Sequence, residues 1–369
     1  MFTHPLFPER TRVNRKHLKI FSDLLSLPTA PLHEHRVVAY IRDFSEKRGL
    51  PVKEDRFGNL IVRYTRGKPS PVALTAHTDH PGFTVHDVHG RQLEAEWLGG
   101  HDRNHFPGSR VLIQTHDGPV TGRVSSTIGK TRRFEITARR RIQDIEGAYG
   151  YWNLPPFHLE GDRITTKAAD NLVGCAAILA ALDNLVTQKE KADLYAVFTR
   201  AEEVGLVGAA GLVEAKTLPK RIPIIVLEAS KELPGALIGN GPVIRVGDYM
   251  SIFDPSIEYT LHDLAKGIAS ADRQFAFQRQ LMSGGVCEAS IYVLHGYQVG
   301  ALAFPLGNYH NESKRWPAPE YISRTDAINM IRLCTEIALH PPEGDTRDPI
   351  RKYWASRYAD FRQRVLDSR

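Results

Sequence analysis

Only three of the 369 residues are cysteine, Cys175, Cys287 and Cys334. Their wide spacing and odd number exclude a disulfide framework and a CxxC-type zinc module. No apolar segment approaches the roughly 20 residues that a membrane-spanning helix needs. The opening stretch MFTHPLFPERTRVNRKHLKIF lacks the continuous apolar core of a signal peptide. A cytoplasmic protein without a membrane partner is therefore expected. Internal repeats and low-complexity tracts are absent. The net charge is modestly basic, +6, but no aromatic-interleaved basic stripe accompanies it, so no nucleic-acid partner is expected. What is present is ordinary globular composition, 42% hydrophobic and 24% charged. The length suits one large α/β domain or a domain carrying an inserted module.

RKHLKIFSDLLSL holds Leu18, Phe21, Leu24 and Leu25 at helical spacing and ends at Pro28; EHRVVAYIRDFSEKRG repeats the pattern with Val37, Ile41 and Phe44 and ends at Gly49. NLIVRY and PVALTAH read as two short strands separated by the turn TRGKPSP. From about Phe83 to Asp162 short β-prone pieces alternate with Gly, His and Arg, which predicts a small inserted β-barrel or sandwich. NLVGCAAILAALDNLV then reads as a buried helix, and strand and helix signals alternate up to about His340. The order predicts an α/β catalytic domain, 1–82 with 163–345, on a mostly parallel sheet flanked by helices and interrupted by the insert 83–162. In the tail, 346–369, Ile350, Trp354, Tyr358, Phe361 and Val365 predict a terminal helix. It is expected to dock on the core, with a subunit contact as the alternative.

Four apolar runs end in side chains that bind metals. VALTA runs into His77 and Asp79, IPIIVL into Glu228, and VGALAFPLGNYH into His310. LYAVFT reaches Glu202 and Glu203 after two residues, and Asp170 stands just before the apolar helix. Sites in open α/β sheets form beyond the carboxyl ends of strands, so these groups can converge. Singly, each has a plainer explanation. Asp170 reads as a helix N-cap, His77 as a hydrogen-bonded core histidine, and the glutamate pair as a solvated helix start. His80, His86, His89, His101 and His105 lie in or near the insert without ligand-like spacing. Together, five ligands of mixed nitrogen and oxygen type exceed one tetrahedral site and suit two divalent cations. Such a pair polarises a carbonyl and acidifies a water. Adjacent carboxylates at a strand end repel each other and resist desolvation. Cations offset that cost if one glutamate ligates while its neighbour stays free as general base. Asp79 can accept the other imidazole N–H of His77 and fix its tautomer.

The order His-x-Asp, Asp, Glu-Glu, acid, His resembles that of the co-catalytic metallopeptidases, in particular the glutamyl and deblocking aminopeptidases that include the tetrahedral aminopeptidases. LTAHTDHPGF, TTKAADNLVGCAAIL, FTRAEEVGLVGA, VLEAS, IGNGPVIR and FPLGNYHN follow in that family's order across nearly the whole chain. The resemblance implies that His77, Asp170 and Glu228 hold one metal, and that Asp170 bridges to a second held by Glu203 and His310. It implies Glu202 as the proton-shuttling base and Asp79 as the orienter of His77. It also implies two zinc or cobalt ions per subunit, peptide substrates, and a hollow homo-oligomer such as a dodecamer to which the insert contributes contacts. This sequence departs from the family pattern at Glu228, usually Asp, and at Leu172, usually Arg. It departs again at Glu288, usually Asp after Gly-Gly-Thr, and in HNESKRW, which lacks the Pro and Glu that follow the histidine. The expected reaction is removal of N-terminal residues from peptides by a metal-activated water. A di-metal deacylase of N-acyl amino acids and a non-catalytic metal-binding scaffold are the alternatives.

Overall fold

The alternating signals resolve, in the computed structural model, into a layered α/β body carrying a closed barrel. The structure describes residues 15–67, 69–100, 106–343 and 348–368, so His101 and His105 lie outside the described residues. Helices α1 (Arg15–Leu25) and α2 (His35–Glu46) come first, burying Phe21, Leu24, Leu25, Val37 and Ile41 as their spacing requires. Strands β1 (Val52–Glu54), β2 (Leu60–Arg66) and β3 (Pro71–His77) open the main sheet. The chain then leaves it for β4 (Gly82–His89), β5 (Gln92–Leu98), β6 (Arg110–Gln114), β7 (Val120–Thr127), β8 (Arg133–Ala138) and β9 (Tyr149–Trp152). These close into a barrel in the order β4-β5-β8-β7-β6-β9. Its interior is aromatic: Phe83, Trp97, Phe106, Phe134 and Trp152 pack together, with Trp97 stacked on Trp152 at 4.5 Å. Gly150 leaves the space that the Phe83 ring fills, since a Cβ there would collide with it.

Beyond the barrel come β10 (Phe157–Glu160), β11 (Arg163–Thr166) and α3 (Leu172–Gln188). Next are β12 (Ala192–Thr199), α4 (Val207–Glu214), β13 (Ile224–Lys231) and β14 (Val243–Gly247), followed by α5 (Pro255–Ala271), β15 (Gln278–Leu281) and α6 (Glu288–Leu294). The chain ends with β16 (Val299–Leu306), β17 (Glu320–Ser323), α7 (Arg324–Leu339) and α8 (Asp348–Asp367). The main sheet has the order β1-β2-β12-β3-β13-β16-β14-β15. Its centre, β12-β3-β13-β16, is parallel, while β2 and β14 join it antiparallel. β10 belongs to a separate three-stranded sheet with β11 and β17 rather than to the barrel.

The central strands are covered on both sides, which is why they read as unbroken apolar runs rather than alternating ones. On β13, Ile225, Leu227 and Ala229 face the core shared with α1, α2, α3, α5 and α7, whereas Ile224 and Val226 face α4 and α6. On β16, Leu302, Phe304 and Leu306 divide from Val299 and Ala301 in the same way. α3 is buried nearly all round. The terminal helix departs from expectation. α8 forms, but from Ile350 onward its described side chains are exposed, Trp354 and Tyr358 among them, so it does not dock on the core. No helix among the described residues is long and apolar enough to cross a membrane.

Candidate active site

The parallel strands deliver their carboxyl ends to one edge of the sheet. His77 closes β3 and stands opposite Thr199, the last residue of β12. On β13, Val226 pairs with Thr75, so Glu228, two residues on, comes level with His77. Glu228 therefore lies inside its strand rather than after it. Beyond Thr199 the chain turns through Arg200 and Ala201 into Glu202 and Glu203. That turn is held by a buried carboxylate at the start of α2. Glu34 accepts from the Ala201 N–H at 3.0 Å and pairs with the Arg200 guanidinium at 2.8 Å. His310 sits in a tight turn after β16 with φ 55°, between Asn308 and Asn311, which are also left-handed. Such conformations cost about 1–3 kcal/mol each and persist where the surroundings over-determine them. Here Asn308 donates to the Pro319 carbonyl, Asn311 to the Lys167 carbonyl, and the His310 N–H to Glu320.

These turns bring the sequence-predicted residues together. His77 Nε2 lies 3.3 Å from Asp170 Oδ1, 3.4 Å from Glu228 Oε1 and 4.0 Å from Glu202 Oε2. His310 Nε2 lies 3.2 Å from Glu203 Oε2 and 3.6 Å from Asp170 Oδ2. Two triads thus share Asp170: His77–Asp170–Glu228 and Asp170–Glu203–His310, each with its ligand atoms within 4.8 Å of one another. His77–Glu202–Glu203 meets the same measure. Asp79 is buried behind them. Its Oδ1 is 3.4 Å from His77 Nδ1, and its two oxygens accept the backbone N–H of Glu202 and of Glu203, each at 3.0 Å. One carboxylate therefore orients both the imidazole and the glutamate pair. Asp170 is not a helix cap; Asn171 holds that position.

Five carboxylates and two imidazoles crowd this space, and no Lys or Arg among the described residues forms an ion pair with any of them. Burial pushes Glu202 well above the usual carboxylate range, and the charges of Glu228, Glu203 and Asp79 push it further. Burial also raises Glu203, and it raises Glu228 to about 7, helped by Asp170. Burial works against ionisation of Asp170 too, but hydrogen bonds with His310 and His77 hold it below the usual range. Burial would lower His77 and His310; the surrounding acids outweigh it and raise both. Glu203 Oε1 is buried without a hydrogen-bond partner, and Asp170 Oδ1 and His77 Nδ1 have only the long 3.3 and 3.4 Å contacts with His77 Nε2 and Asp79 Oδ1. Uncompensated negative charge, an orphaned oxygen and a mixed N/O donor set fit divalent cations.

Several contributors were not visible as motifs. Glu320 on β17 is fully buried; its Oε2 accepts the N–H of Ala169 at 2.6 Å and of Asp170 at 3.0 Å, and its Oε1 that of His310 at 2.8 Å. His80 joins the site without being placed among the triads. It contacts the Asp170 carbonyl and Asn311 Oδ1, and burial lowers its pKa to about 4, so it is neutral. His86 and His89 sit apart on β4 beside Glu96 and Asp87. Leu172 is buried in the core at the start of α3. Glu288 is buried at the start of α6 and raised by that burial to about 7.

The sequence model of the M42 glutamyl aminopeptidase family matches residues 58–146 and 142–326. A protein of Acetivibrio thermocellus that carries a provisional aminopeptidase name is 27% identical over 310 residues, 77% of this chain and 87% of its own length. Among solved structures, a TET aminopeptidase from a marine-sediment Thaumarchaeota archaeon superposes with a TM-score of 0.76 at 21% identity, covering 88% of this chain and 97% of that one. The TET1 peptidase of Pyrococcus horikoshii, described as assembling into a tetrahedron or a large octahedral shell, gives 0.73 at 20% identity, covering 87% and 99%. These likenesses carry the α/β fold with its barrel. The family match spans most of the chain, and this protein accordingly belongs to the M42 glutamyl aminopeptidases, a hydrolase with that family's aminopeptidase function.

Proposed function

We propose that this chain trims N-terminal residues from peptides using two divalent cations, zinc or cobalt. His77, Asp170 and Glu228 would hold one, and Asp170, Glu203 and His310 the other. The observation that carries this reading is the pair of His/carboxylate triads sharing Asp170, with Glu202 at the longest distance from His77. Cations held there would polarise the scissile carbonyl and acidify a water. Glu202 takes that water's proton and passes it to the leaving amine; its raised proton affinity suits a base that must later act as an acid. Asp79 keeps the Nδ1 proton of His77, so that Nε2 faces the triad, and anchors both glutamates through their N–H groups. Glu320 holds Asp170 and His310 at a fixed separation.

The TET relatives' shells support a homo-oligomer, with the barrel from β4 to β9 as a contact module. Light scattering that returns a monomer at micromolar concentration would remove that part. The reaction is tested on a panel of aminoacyl p-nitroanilides, with zinc and cobalt added back singly to chelated protein. Metal-dependent release from unblocked substrates is expected. Release only from N-acylated substrates would favour the deacylase, and none from either would favour a scaffold.

A further inference from the structure

Where the loop that follows His310 crosses the barrel, it encloses a cleft of about 310 Å³ lined by Arg110, Arg123, Asn153 and Trp316. The Trp316 ring sits against Gly108, where an added Cβ would come within 3.2 Å of it. Arg110 on β6 and Arg123 on β7 are directly opposed in the antiparallel register. Directly opposed residues project to the same face, and like charges there destabilise the pair. The barrel relieves the equivalent acidic clash elsewhere. Glu94 and Glu135 are also opposed, but Arg133 pairs with Glu94 at 2.8 Å and Ser126 donates to Glu135. Arg110 and Arg123 have no such relief: among the described residues neither pairs with a carboxylate, and Arg123 spends one N–H on the Gly108 carbonyl. Lys314 and Arg315 add positive charge in the same loop, against one acid, Glu312. An aromatic face beside two exposed guanidiniums with spare donors is a receptor for a carboxylate in a peptide setting.

One loop links the cleft to the catalytic edge. The same loop carries His310, and Gly100, just past β5, approaches it so closely that a Cβ would lie 3.0 Å from His310 Nδ1. Trp316 is six residues from His310, which bounds their separation at about 21 Å, the reach of about six extended residues. We propose that this cleft binds a carboxylate on the downstream part of the peptide substrate, within about six residues of the scissile bond. The carboxylate is either an acidic side chain or the free C-terminus. Arg110 and Arg123 hold it while Trp316 packs against the adjoining peptide. The assignment of the downstream end rests on the aminopeptidase reading; the binding itself does not.

The test uses the full chain in its native assembly and the double variant Arg110→Gln/Arg123→Gln. Substrates are an anilide, too short to reach the cleft, and pentapeptides with the same N-terminal residue. The peptides are neutral and amidated, neutral with a free C-terminus, or amidated with Asp at the fourth position. For the charged peptides, the ratio of kcat/KM to that of the anilide should fall about tenfold in the variant, about the worth of one charge-assisted contact. The neutral amidated peptide should keep its ratio. Loss confined to one charged peptide identifies which carboxylate is read. An unchanged ratio for both, or equal loss on the neutral peptide, overturns the proposal. A second arm needs no turnover: an N-acetylated acidic pentapeptide added to chelated protein should raise the Tm of the parent and not of the variant. If the parent hydrolyses no anilide, this arm alone judges the cleft, and the absence of a shift overturns it. Tighter binding of a single-stranded oligonucleotide than of the acidic peptide also overturns it.

Discussion

Glu202 and Glu203 are adjacent in sequence, yet the proposed mechanism gives them different tasks, and paired substitutions separate these. Asp79 accepts both backbone N–H groups at 3.0 Å, so replacing either side chain by Gln leaves the backbone anchored. Glu203 Oε2 stands 3.2 Å from His310 Nε2, inside the triad completed by Asp170. Glu202 Oε2 stands 4.0 Å from His77 Nε2, outside the 3.3–3.4 Å at which Asp170 and Glu228 approach the same nitrogen. Glu202→Gln keeps shape and removes the proposed base. General-base catalysis supplies about 10²–10⁴ in rate, so turnover should fall at least about a hundredfold with metal content intact. Glu203→Gln removes a proposed anionic ligand, so metal should be lost first, and excess zinc or cobalt should restore part of the activity. Metal content after dialysis and turnover on an aminoacyl anilide are measured side by side. Near-normal turnover in Glu202→Gln refutes the mechanism. Metal loss from Glu202→Gln with retention in Glu203→Gln refutes the division of roles.

Asp170 belongs to both triads and His310 to one; after dialysis His310→Ala should keep about one metal equivalent and Asp170→Ala almost none, whereas equal loss would contradict the sharing. Glu228 holds its proton up to about pH 7, and Glu203, His77 and His310 are raised as well. A cation must displace those protons as pH falls through that value, so affinity should drop about tenfold per pH unit for each coupled proton, and pH-independent titration calorimetry would exclude the competition. Ending the chain after Glu343 removes a helix whose described side chains are exposed from Ile350 onward; stability should change by less than about 0.5 kcal/mol, and a larger drop in denaturation would reveal packing that this helix lacks here. Chelation should leave the far-UV circular dichroism unchanged while lowering Tm by mass action, and collapse of the spectrum would mean that the metals fold the site.

The candidate ligands were legible because each stands at or within a few residues of a strand exit, and an apolar run that stops at a charged residue marks such an exit. The parallel sheet follows from those same runs, since strands covered on both faces cannot alternate. The groups that hold the ligands in place left no such trace. Glu34 and Glu320 act on backbone N–H groups of Ala201, Ala169, Asp170 and His310, which every sequence possesses. The barrel's texture announced β structure, but its closure depends on β9 returning to both β4, at least 65 residues back, and β6, at least 35 residues back, pairings that local spacing does not encode. α8 illustrates the converse. The spacing of Ile350, Trp354, Tyr358 and Phe361 specifies a helix with an apolar stripe and nothing about what the stripe touches.

The buried acids divide into two sets with different compensation, and this separates the fold from its chemistry. Asp79, Glu34 and Glu320 are satisfied inside the chain, by two, two and three backbone N–H groups respectively, with Arg200 adding to Glu34. Hydrogen bonds of this kind are worth about 0.5–1.5 kcal/mol each, and seven of them together hold the turns that carry Glu202, Glu203, Asp170 and His310. Glu203 keeps an unpartnered oxygen, and Glu228 is raised by burial and then by Asp170. The first set therefore builds the cradle at the strand ends, and the second leaves it short of positive charge. A cation entering such a site meets ligands already held in position, so its binding energy is not consumed in ordering the loops.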